Sequence, residues 1–446
     1  MALPPGPSEP AFVQLLRFTF QPLEFFEDSL ARYGDPFTLR LTGLGTFVLV
    51  TAPDLLKQVF TADANDLTSG SANKILEPVT GPRSLLLLDG AEHLRMRRLL
   101  LPPLHGERMH AYAETMAKAA NEEVQRFPSG RPFSLHPHMQ AITLEVILRA
   151  VFGLDERSRL ERLSELLTKF MEPPPAIFAF LPALQRDFPL SPMRIFMRRR
   201  EAVDRELYAL IDERQKHPDD SRTDVLALLL AARDEEGKPL TRGELRDELV
   251  TMLVAGHETT ATSLSWTIAC LLENPGVLER LEAELAPFIE KDGSIDVAAV
   301  VRAEYLDAVV KESLRLRPIV PDVVREVRVP YNLAGYDLPL GVFLTPCIYL
   351  AHRQPDVYPN PTRFLPERWI GVKPDPYRWF PFGGGIRRCI GMAFALYEMK
   401  VVLATILART RLRLTQPVKV VRRTLTLAPS RGTEVELVER RRVRAG

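Results

Sequence analysis

One proline-free stretch of some thirty residues, from Arg242 to Glu273, constrains the fold more than any other part of the sequence. Apart from Gly243 in its first turn, Gly256 is its only glycine. A stretch of this length without a helix breaker predicts one long, mostly buried helix, here called the long helix. It lies in a region from about residue 109 to residue 291 in which apolar residues recur mostly at helical spacing, so the middle of the chain is expected to be helical.

Strand signals are confined to shorter segments. Residues 37–50 are rich in β-branched and aromatic side chains and are interrupted by a Gly-Leu-Gly turn, which predicts a hairpin. Short strands and turns are also expected over residues 319–345 and 418–438. The sequence therefore predicts a mainly α protein with a minor β region.

Composition narrows the class of protein. With 46% hydrophobic residues and a net charge of +1, the chain can bury a large core and has no strong field that would attract a nucleic acid. No apolar run approaches the roughly 18 residues that cross a membrane, and the start has no basic leader. Three widely spaced cysteines cannot form a disulfide framework, which favours a reducing compartment. We expect a cytoplasmic protein without a membrane anchor. Length alone, at roughly 150 residues per domain, suggests two or three domains.

The segment from Phe382 to Gly391, here called the cysteine loop, is the most informative part of the sequence. Its three consecutive glycines permit a loop whose N–H groups turn inward and stabilise an anion. A thiolate at Cys389 would also lie near the N-terminus of a helix that begins at Met392, which favours the charged form of a thiol. A buried structural cysteine beside a glycine turn explains these two features equally well. Arg387 adds a fixed cation that suits a ligand with carboxylates.

Two other interpretations of these segments fail. The glycines are followed by Arg388 where a dinucleotide-binding loop has its third glycine, and no βαβ pattern surrounds them. On the long helix, His257 begins a His-Glu-Thr-Thr segment, but a zinc protease would need a second histidine at Ala261. Neither motif is therefore present.

The cysteine loop matches, position for position, the haem-binding signature Phe-x-x-Gly-x-Arg-x-Cys-x-Gly of the cytochrome P450 family, and the chain resembles that family over nearly its whole length. By this resemblance Cys389 is the axial thiolate ligand of haem b, Arg387 contacts a haem propionate and Phe382 packs near the sulfur. Gly383 and Gly391 join the residues that contact haem. A thiolate ligand donates electron density to iron and favours cleavage of the O–O bond.

Two further motifs fit the family and imply a structural triad. Glu312 and Arg315 form a Glu-x-x-Arg element whose spacing places both side chains on one helix face as an ion pair. Arg368, in a Pro-Glu-Arg element, resembles the third member. The triad is expected behind the haem.

A pair of cations precedes the helical middle. His93 and Arg97 are four residues apart, which puts them on one helix face, and by themselves they indicate a solvated basic face. By the resemblance, His93 and Arg97 bind the haem propionates together with Arg325. It also leads us to expect an outward basic patch for an acidic redox partner, composed of Arg95, Arg98 and Arg388.

The resemblance also assigns roles to the residues at the centre of the long helix. Small residues at Ala255 and Gly256 let the helix pass close to the haem face. Thr259 can donate a hydrogen bond to its i−4 carbonyl, a pairing that opens helices. Glu258 and Thr259 are then the acid and alcohol that relay protons to dioxygen. The alternative is an ordinary Glu and Thr on a helix face.

The expected substrate pocket is apolar. The resemblance places mostly aliphatic residues over the haem, and an aliphatic lining favours a hydrocarbon-rich ligand. These residues are Val254, Ile319, Val320, Val323 and Leu425. The proline-rich and phenylalanine-rich segment 170–184 is equally consistent with a mobile lid and with a plain helix corner.

The resemblance implies a single domain of residues 1–446, with haem between the long helix and the cysteine loop. The expected reaction is hydroxylation or epoxidation of an apolar small molecule, such as a fatty acid, terpenoid or polyketide, with dioxygen as co-substrate. With no flavin or iron–sulfur module expected in the chain, electrons come from a separate ferredoxin and ferredoxin reductase. We also expect a monomer. Two alternatives stay open: a peroxygenase driven by hydrogen peroxide, and a haem-binding sensor or carrier without turnover.

Overall fold

The computed structural model describes residues 3–106, 108–171, 191–423 and 426–441. The chain divides into two compact units. Unit 1 comprises residues 1–75, 86–94 and 304–392, and unit 2 comprises residues 76–85, 95–303 and 393–446. The cysteine loop lies in unit 1 and the long helix in unit 2. A single domain of residues 1–446 stays a prediction.

Helices dominate the described residues, so the predicted mainly α class is confirmed. The helices are Ala11–Phe20, Pro22–Tyr33, Pro53–Thr61, Glu77–Thr80, Gly90–Leu100, Arg108–Val124, His136–Val146, Arg157–Met171, Pro192–Lys216, Val225–Ala231, Arg242–Glu273, Pro275–Leu285, Val297–Val300, Glu304–Leu316, Ile348–Ala351 and Met392–Arg409. Within the described ranges, none of them combines the length and the apolar character that a membrane-crossing helix needs.

The minor β region is also present. The strands are β1 Phe37–Leu41, β2 Gly45–Val50, β3 Leu67–Thr68, β4 Phe133–Ser134, β5 Arg325–Val327, β6 Tyr331–Leu333, β7 Tyr336–Leu338, β8 Phe343–Pro346, β9 Thr410–Leu414, β10 Val420–Arg423, β11 Thr426–Pro429 and β12 Glu434–Arg440. The antiparallel pair β1 and β2 confirms the predicted hairpin. Strands also occur in both of the other segments where the sequence predicted them.

Unit 1 is built on a five-stranded sheet in the order β1-β2-β8-β5-β3, in which only the β2–β8 pair is parallel. β6 and β7 form a separate hairpin. The sheet packs on the Pro53–Thr61 helix through a core that includes Val48, Phe60 and Leu344. Phe380 belongs to the same core, so the chain enters the cysteine loop from a buried anchor.

Unit 2 is organised around the long helix, which spans Arg242–Glu273, the bounds that the sequence predicted. Its start is fixed by a capping box, because the Thr241 hydroxyl accepts from the Glu244 N–H and the Glu244 carboxylate accepts from the Thr241 N–H. At its end Asn274 donates to the Cys270 carbonyl at 2.8 Å. Most of its side chains are buried, as expected.

The long helix packs most extensively on the His136–Val146 helix, which continues as a π-helical turn over Ile147–Val151. The short sheet β4-β12-β9 and the β10–β11 hairpin complete the described part of unit 2. The long helix therefore carries its predicted site residues on a backbone that is held from several sides.

Candidate functional site

The cysteine loop of unit 1 is closed by a backbone hydrogen bond and ends on an exposed thiol. The Cys389 N–H donates to the Phe382 carbonyl at 2.9 Å, which joins the two ends of the loop. Phe382 is half-buried, and its ring centroid lies 6.2 Å from that of Trp379. The Cys389 side chain is exposed, whereas Cys270 and Cys347 are buried. Cys389 is thus the cysteine that a ligand can reach.

The loop needs its glycines for two different reasons. Gly383 and Gly385 have φ values of +67° and +64°, in the left-handed region that side chains disfavour. Gly384 and Gly385 also lie against Phe60: a Cβ on Gly384 would be 2.4 Å from the Phe60 ring, and one on Gly385 would be 2.3 Å from the Phe60 carbonyl oxygen. The Pro53–Thr61 helix therefore packs so closely against the loop that only glycine fits at positions 384 and 385.

Arg387 is held by Asp89, a residue that the sequence reasoning missed. Its guanidinium forms an ion pair with the Asp89 carboxylate and donates to the Leu88 carbonyl. The same carboxylate accepts from the Ser69 N–H at 3.0 Å and from the Gly70 N–H at 3.0 Å. Asp89 directly precedes the Gly90–Leu100 helix, and an acidic residue just before a helix was the available signal. The predicted contact of Arg387 with a haem propionate stays a prediction.

Arg325 tests whether unit 1 fits a haem. It is 7% exposed and donates to the Val324 and Gly384 carbonyls, at 2.9 and 3.3 Å. Burial and, to a smaller extent, the neighbouring Arg387 lower the pKa of Arg325 to about 10, and Asp89 partly offsets both. Among the described residues, no carboxylate lies within ion-pair distance of this guanidinium. A buried cation in need of a counter-charge suits a haem propionate, so the residues present fit the predicted cofactor.

The two other predicted propionate contacts lie on the Gly90–Leu100 helix. His93 is buried and its N–H donates to the Asp89 carbonyl at 3.3 Å, whereas Arg97 is half-buried. Both are on the helix that the sequence predicted for them. Their contact with haem stays a prediction.

Glu312, Arg315 and Arg368 are brought together in unit 1. Glu312 and Arg315 are fully buried and form a two-pronged ion pair, with both N···O distances at 2.8 Å. Arg368 Nε lies 3.1 Å from the same carboxylate. The carboxylate also accepts from the Leu365 N–H at 3.0 Å and from the Trp369 indole at 2.9 Å. Five donors therefore satisfy one buried charge; the position of this cluster relative to haem stays a prediction.

His352 links this cluster to the cysteine loop. Its carbonyl accepts from Arg315 at 2.7 Å, and its Nε2 accepts from the Phe380 N–H at 3.0 Å, two residues before the loop begins. Burial, reinforced by the nearby arginines, holds the pKa of His352 well below its usual value, so the ring stays neutral and Nε2 can accept. The sequence offered no motif that marks His352.

In unit 2, the Glu258 side chain is drawn toward the His136–Val146 helix. Gln140 Nε2 donates to its Oε2 at 2.7 Å, and His136 Nε2 lies 3.3 Å from its Oε1. Burial acts to raise the pKa of Glu258, but its interactions with His136, with Gln140 and, to the smallest extent, with His257 outweigh burial and hold the pKa below the usual value. Glu258 is therefore a carboxylate at neutral pH. The sequence reasoning missed both His136 and Gln140.

The turn from Ala255 to Thr259 agrees only in part with what the sequence predicts for the centre of the long helix. Ala255 is exposed, although most of the long helix is buried. Thr259 donates to the Ala255 carbonyl, which confirms the predicted i−4 hydrogen bond, but the helix continues through this turn without the expected opening. A Cβ on Gly256 would lie 3.4 Å from Ile147 Cδ1, so the glycine also permits close packing inside unit 2.

The predicted substrate residues are located in part. Val254 is half-buried on the long helix, and in unit 1 Ile319 is buried while Val320 and Val323 are half-buried. Val323 Cγ1 would lie 3.6 Å from a Cβ on Gly383. Leu425 lies outside the described residues, as does most of the segment 170–184.

The predicted basic patch needs a correction. Arg95 forms ion pairs with Asp234 at 2.7 Å and Glu244 at 2.8 Å, and Arg98 pairs with Glu235. These acids neutralise the two arginines, so Arg95 and Arg98 do not supply the unpaired positive charge that the sequence suggested.

Comparisons with known proteins agree with this geometry. A family model described as Cytochrome P450 matches residues 4–436. A Mycobacterium tuberculosis protein named cytochrome P450 135B1 is 41% identical over 418 residues, which cover 93% of this chain and 86% of that protein. Another, cytochrome P450 135A1, is 37% identical over 451 residues, covering 99% and 96%.

Two solved structures share the fold. The retinoic acid-bound cyanobacterial CYP120A1 matches with a TM-score of 0.82 and 25% identity, over 98% of this chain and 99% of that one. The haem domain of cytochrome P450DA matches with a TM-score of 0.83 and 25% identity, over 98% of each chain. The family holds its haem through a cysteine thiolate, and the assignment of that role to Cys389 stays a prediction. The chain therefore belongs to the cytochrome P450 family of haem monooxygenases.

Proposed function

We propose that the protein inserts one oxygen atom of dioxygen into an apolar small molecule, by hydroxylation or epoxidation. The second oxygen atom leaves as water, and the reaction consumes two electrons and two protons. The observation that supports the proposal most directly is the exposed Cys389 thiol, which lies at the end of a glycine loop packed closely against Phe60. The haem, when bound to this sulfur, supplies the redox centre at which dioxygen is activated.

The chain's own residues bind the cofactor and handle protons. Arg325 offers a buried positive charge to a propionate, and His93, Arg97 and Arg387 are proposed to join it. On the long helix, Ala255 is exposed and its carbonyl accepts a hydrogen bond from the Thr259 hydroxyl. Because Glu258 is held as a carboxylate, it can take a proton from water, and the Thr259 hydroxyl is the next group that can hold one.

The substrate is proposed to be a long-chain or terpenoid molecule. Val254, Val320 and Val323 present partly exposed aliphatic side chains, which favour a hydrocarbon-rich ligand. The cyanobacterial relative of known structure is bound to retinoic acid, a carboxylic acid that is otherwise hydrocarbon, and this supports a hydrocarbon-rich ligand here. Fatty acids and polyketides are the other members of the apolar class to be tested.

Electrons are proposed to come from a separate ferredoxin and its reductase, because bacterial members of the family typically use such redox partners. We also propose that the chain acts as a monomer and as a single catalytic domain. Its location in the cytoplasm stays a prediction.

The ligand of the iron is tested by spectroscopy. The reduced carbon monoxide complex should show the strongly red-shifted Soret band of thiolate ligation, and Cys389→Ser should lose it. Cys347→Ala is the matched control, because Cys347 is fully buried and burial raises the pKa of its thiol, so it stays neutral. A histidine-type band in the fresh protein would overturn the assignment of Cys389.

The reaction is tested by turnover of one apolar substrate panel under two conditions. Product with NADPH, ferredoxin and reductase, and little with hydrogen peroxide, supports the monooxygenase. Efficient turnover with peroxide alone would identify a peroxygenase. Tight haem binding without turnover in either assay, for any substrate class, would favour a sensor or carrier.

A further inference from the structure

Two consecutive residues of the long helix are anchored to one residue of the neighbouring helix. The Gln140 side-chain amide donates to Glu258 Oε2, and the Gln140 carbonyl lies 3.0 Å from His257 Nε2. Because a carbonyl only accepts, His257 Nε2 must carry the hydrogen. Burial lowers the pKa of His257 to about 4, so this ring is neutral and its donor is fixed. Gln140 thus holds both the backbone turn and the carboxylate that follows.

The other carboxylate oxygen has its own donors. His136 Nε2 lies 3.3 Å from Glu258 Oε1 and 3.1 Å from the Thr262 hydroxyl, and that hydroxyl lies 3.4 Å from the same Oε1. A carboxylate accepts hydrogen bonds, so His136 Nε2 carries a hydrogen toward it. His136 is only 2% exposed, which fixes the orientation of its ring. Each oxygen of Glu258 is therefore tied to the His136–Val146 helix.

Three titratable side chains of the described residues lie near Glu258. His136 faces it from the neighbouring helix, and His257 lies beside it on its own helix. Arg423 of β10 reaches to 3.9 Å from Oε1, but its side chain is 41% exposed, so water weakens its effect. The Glu258 side chain itself is 31% exposed, so water can reach it and exchange protons with it.

We propose that Gln140 and His136 are positioning residues for the proton relay, which hold the Glu258 carboxylate ionised and in one orientation. This inference rests on the proposed role of Glu258. Without the two donors, burial would dominate, the carboxyl group would stay protonated to higher pH, and the side chain would be free to rotate. Electrons would then leave as hydrogen peroxide more often than as product.

The test compares substitutions in the haem-loaded protein with NADPH, ferredoxin and reductase. Gln140→Met and His136→Phe remove one donor each, and His136→Gln restores an N–H near the position of Nε2. Glu258→Gln is the reference for loss of the relay. Thr143→Val is the matched control, because the fully buried Thr143 hydroxyl joins the same helix to the His257 carbonyl without touching Glu258.

We expect Glu258→Gln to lower product formation by about 100-fold or more, the scale of a lost acid–base group. Gln140→Met and His136→Phe should lower product per electron pair by up to about 100-fold, as misplacement of a reacting group does, with peroxide rising to match. His136→Gln should recover most of the product, and Thr143→Val should retain wild-type yield. The carbon monoxide spectrum and substrate binding should be unchanged in all five variants.

A second measurement does not depend on turnover. An infrared pH titration follows the C=O stretch of the protonated carboxyl group that disappears in Glu258→Gln. The midpoint for this band should move to higher pH in Gln140→Met and His136→Phe and stay in place in Thr143→Val.

The two hypotheses fail in different ways. If the proposed function is wrong, the wild-type protein makes no product and Glu258→Gln resembles it, although the infrared midpoints still move. If only the positioning inference is wrong, Glu258→Gln loses product while Gln140→Met and His136→Phe keep both the yield and the infrared midpoint of the wild type.

Discussion

Removal of the charge on Glu312 should destabilise unit 1 more than almost any other single substitution. Oε1 accepts from Arg315, Arg368 and the Leu365 N–H, and Oε2 accepts from Arg315 and the Trp369 indole. In Glu312→Gln an amide replaces one of these oxygens, so two or three donors lose their acceptor. The side chains of Glu312 and Arg315 are both fully buried, so water cannot compensate.

The magnitude follows from that count. Each unsatisfied buried donor costs about 1–3 kcal/mol, and breaking a buried ion pair from one side costs about 3–5 kcal/mol. We therefore expect Glu312→Gln to lose about 3–5 kcal/mol, a large part of the roughly 5–15 kcal/mol that stabilises a typical folded protein. The Arg315 guanidinium keeps its backbone acceptors at His352, Pro361 and Arg363, which limits the loss.

The assay is urea unfolding of the haem-loaded protein, followed by tryptophan fluorescence, since Trp369 reports on the cluster, and by the carbon monoxide spectrum. Glu161→Gln is the control, because the Arg157–Glu161 pair has the same charges but side chains that are 83% and 67% exposed. Such a pair contributes at most about 1 kcal/mol. Equal stability losses in the two variants would refute the reasoning, as would strict additivity of Glu312→Leu and Arg315→Met.

Two further predictions concern the loop and the acid range. Gly384→Ala places a methyl group 2.4 Å from the Phe60 ring. We expect the free energy of unfolding to fall by about 1–3 kcal/mol and haem retention in a haem-transfer assay to weaken. Retention equal to that of the wild type would contradict the contact. Because burial lowers the pKa of His257 to about 4, the unfolded state binds its proton first as the pH falls from about 6.5. Unfolding free energy should therefore fall between about pH 6.5 and pH 4, and His257→Gln should remove up to one proton from that dependence in urea titrations; an unchanged slope would count against a neutral buried His257.

The bounds of the long helix could be predicted because its signals are local. The proline-free stretch, the Thr241 and Glu244 capping box and the Asn274-Pro275 stop all lie within a few residues of the ends they determine. The β1–β2 hairpin is local for the same reason. The place of Cys389 in a glycine loop could be predicted because its neighbours in sequence are also its neighbours in the loop, whereas its role as the haem ligand stays a prediction.

Residues that act over long distances in sequence escaped prediction. Asp89 meets Arg387 across almost three hundred positions, and Gln140 meets Glu258 across more than one hundred. Neither pair has a spacing that a helix or strand period could reveal. The basic patch around Arg95 failed in the same way, since Asp234 and Glu244 neutralise it only in the folded chain.

The contacts that shape the cysteine loop have a thermodynamic consequence. Phe60 packs against its glycines, His352 accepts a hydrogen bond from Phe380 just before the loop, and Asp89 forms an ion pair with Arg387. These contacts within the protein keep the loop ordered. The conformational entropy of the loop is therefore lost during folding and not during cofactor capture. A preorganised loop leaves more of the binding free energy of the cofactor available as affinity, and substitutions far from Cys389 that loosen Phe60 or His352 should weaken cofactor binding before they alter the choice of substrate.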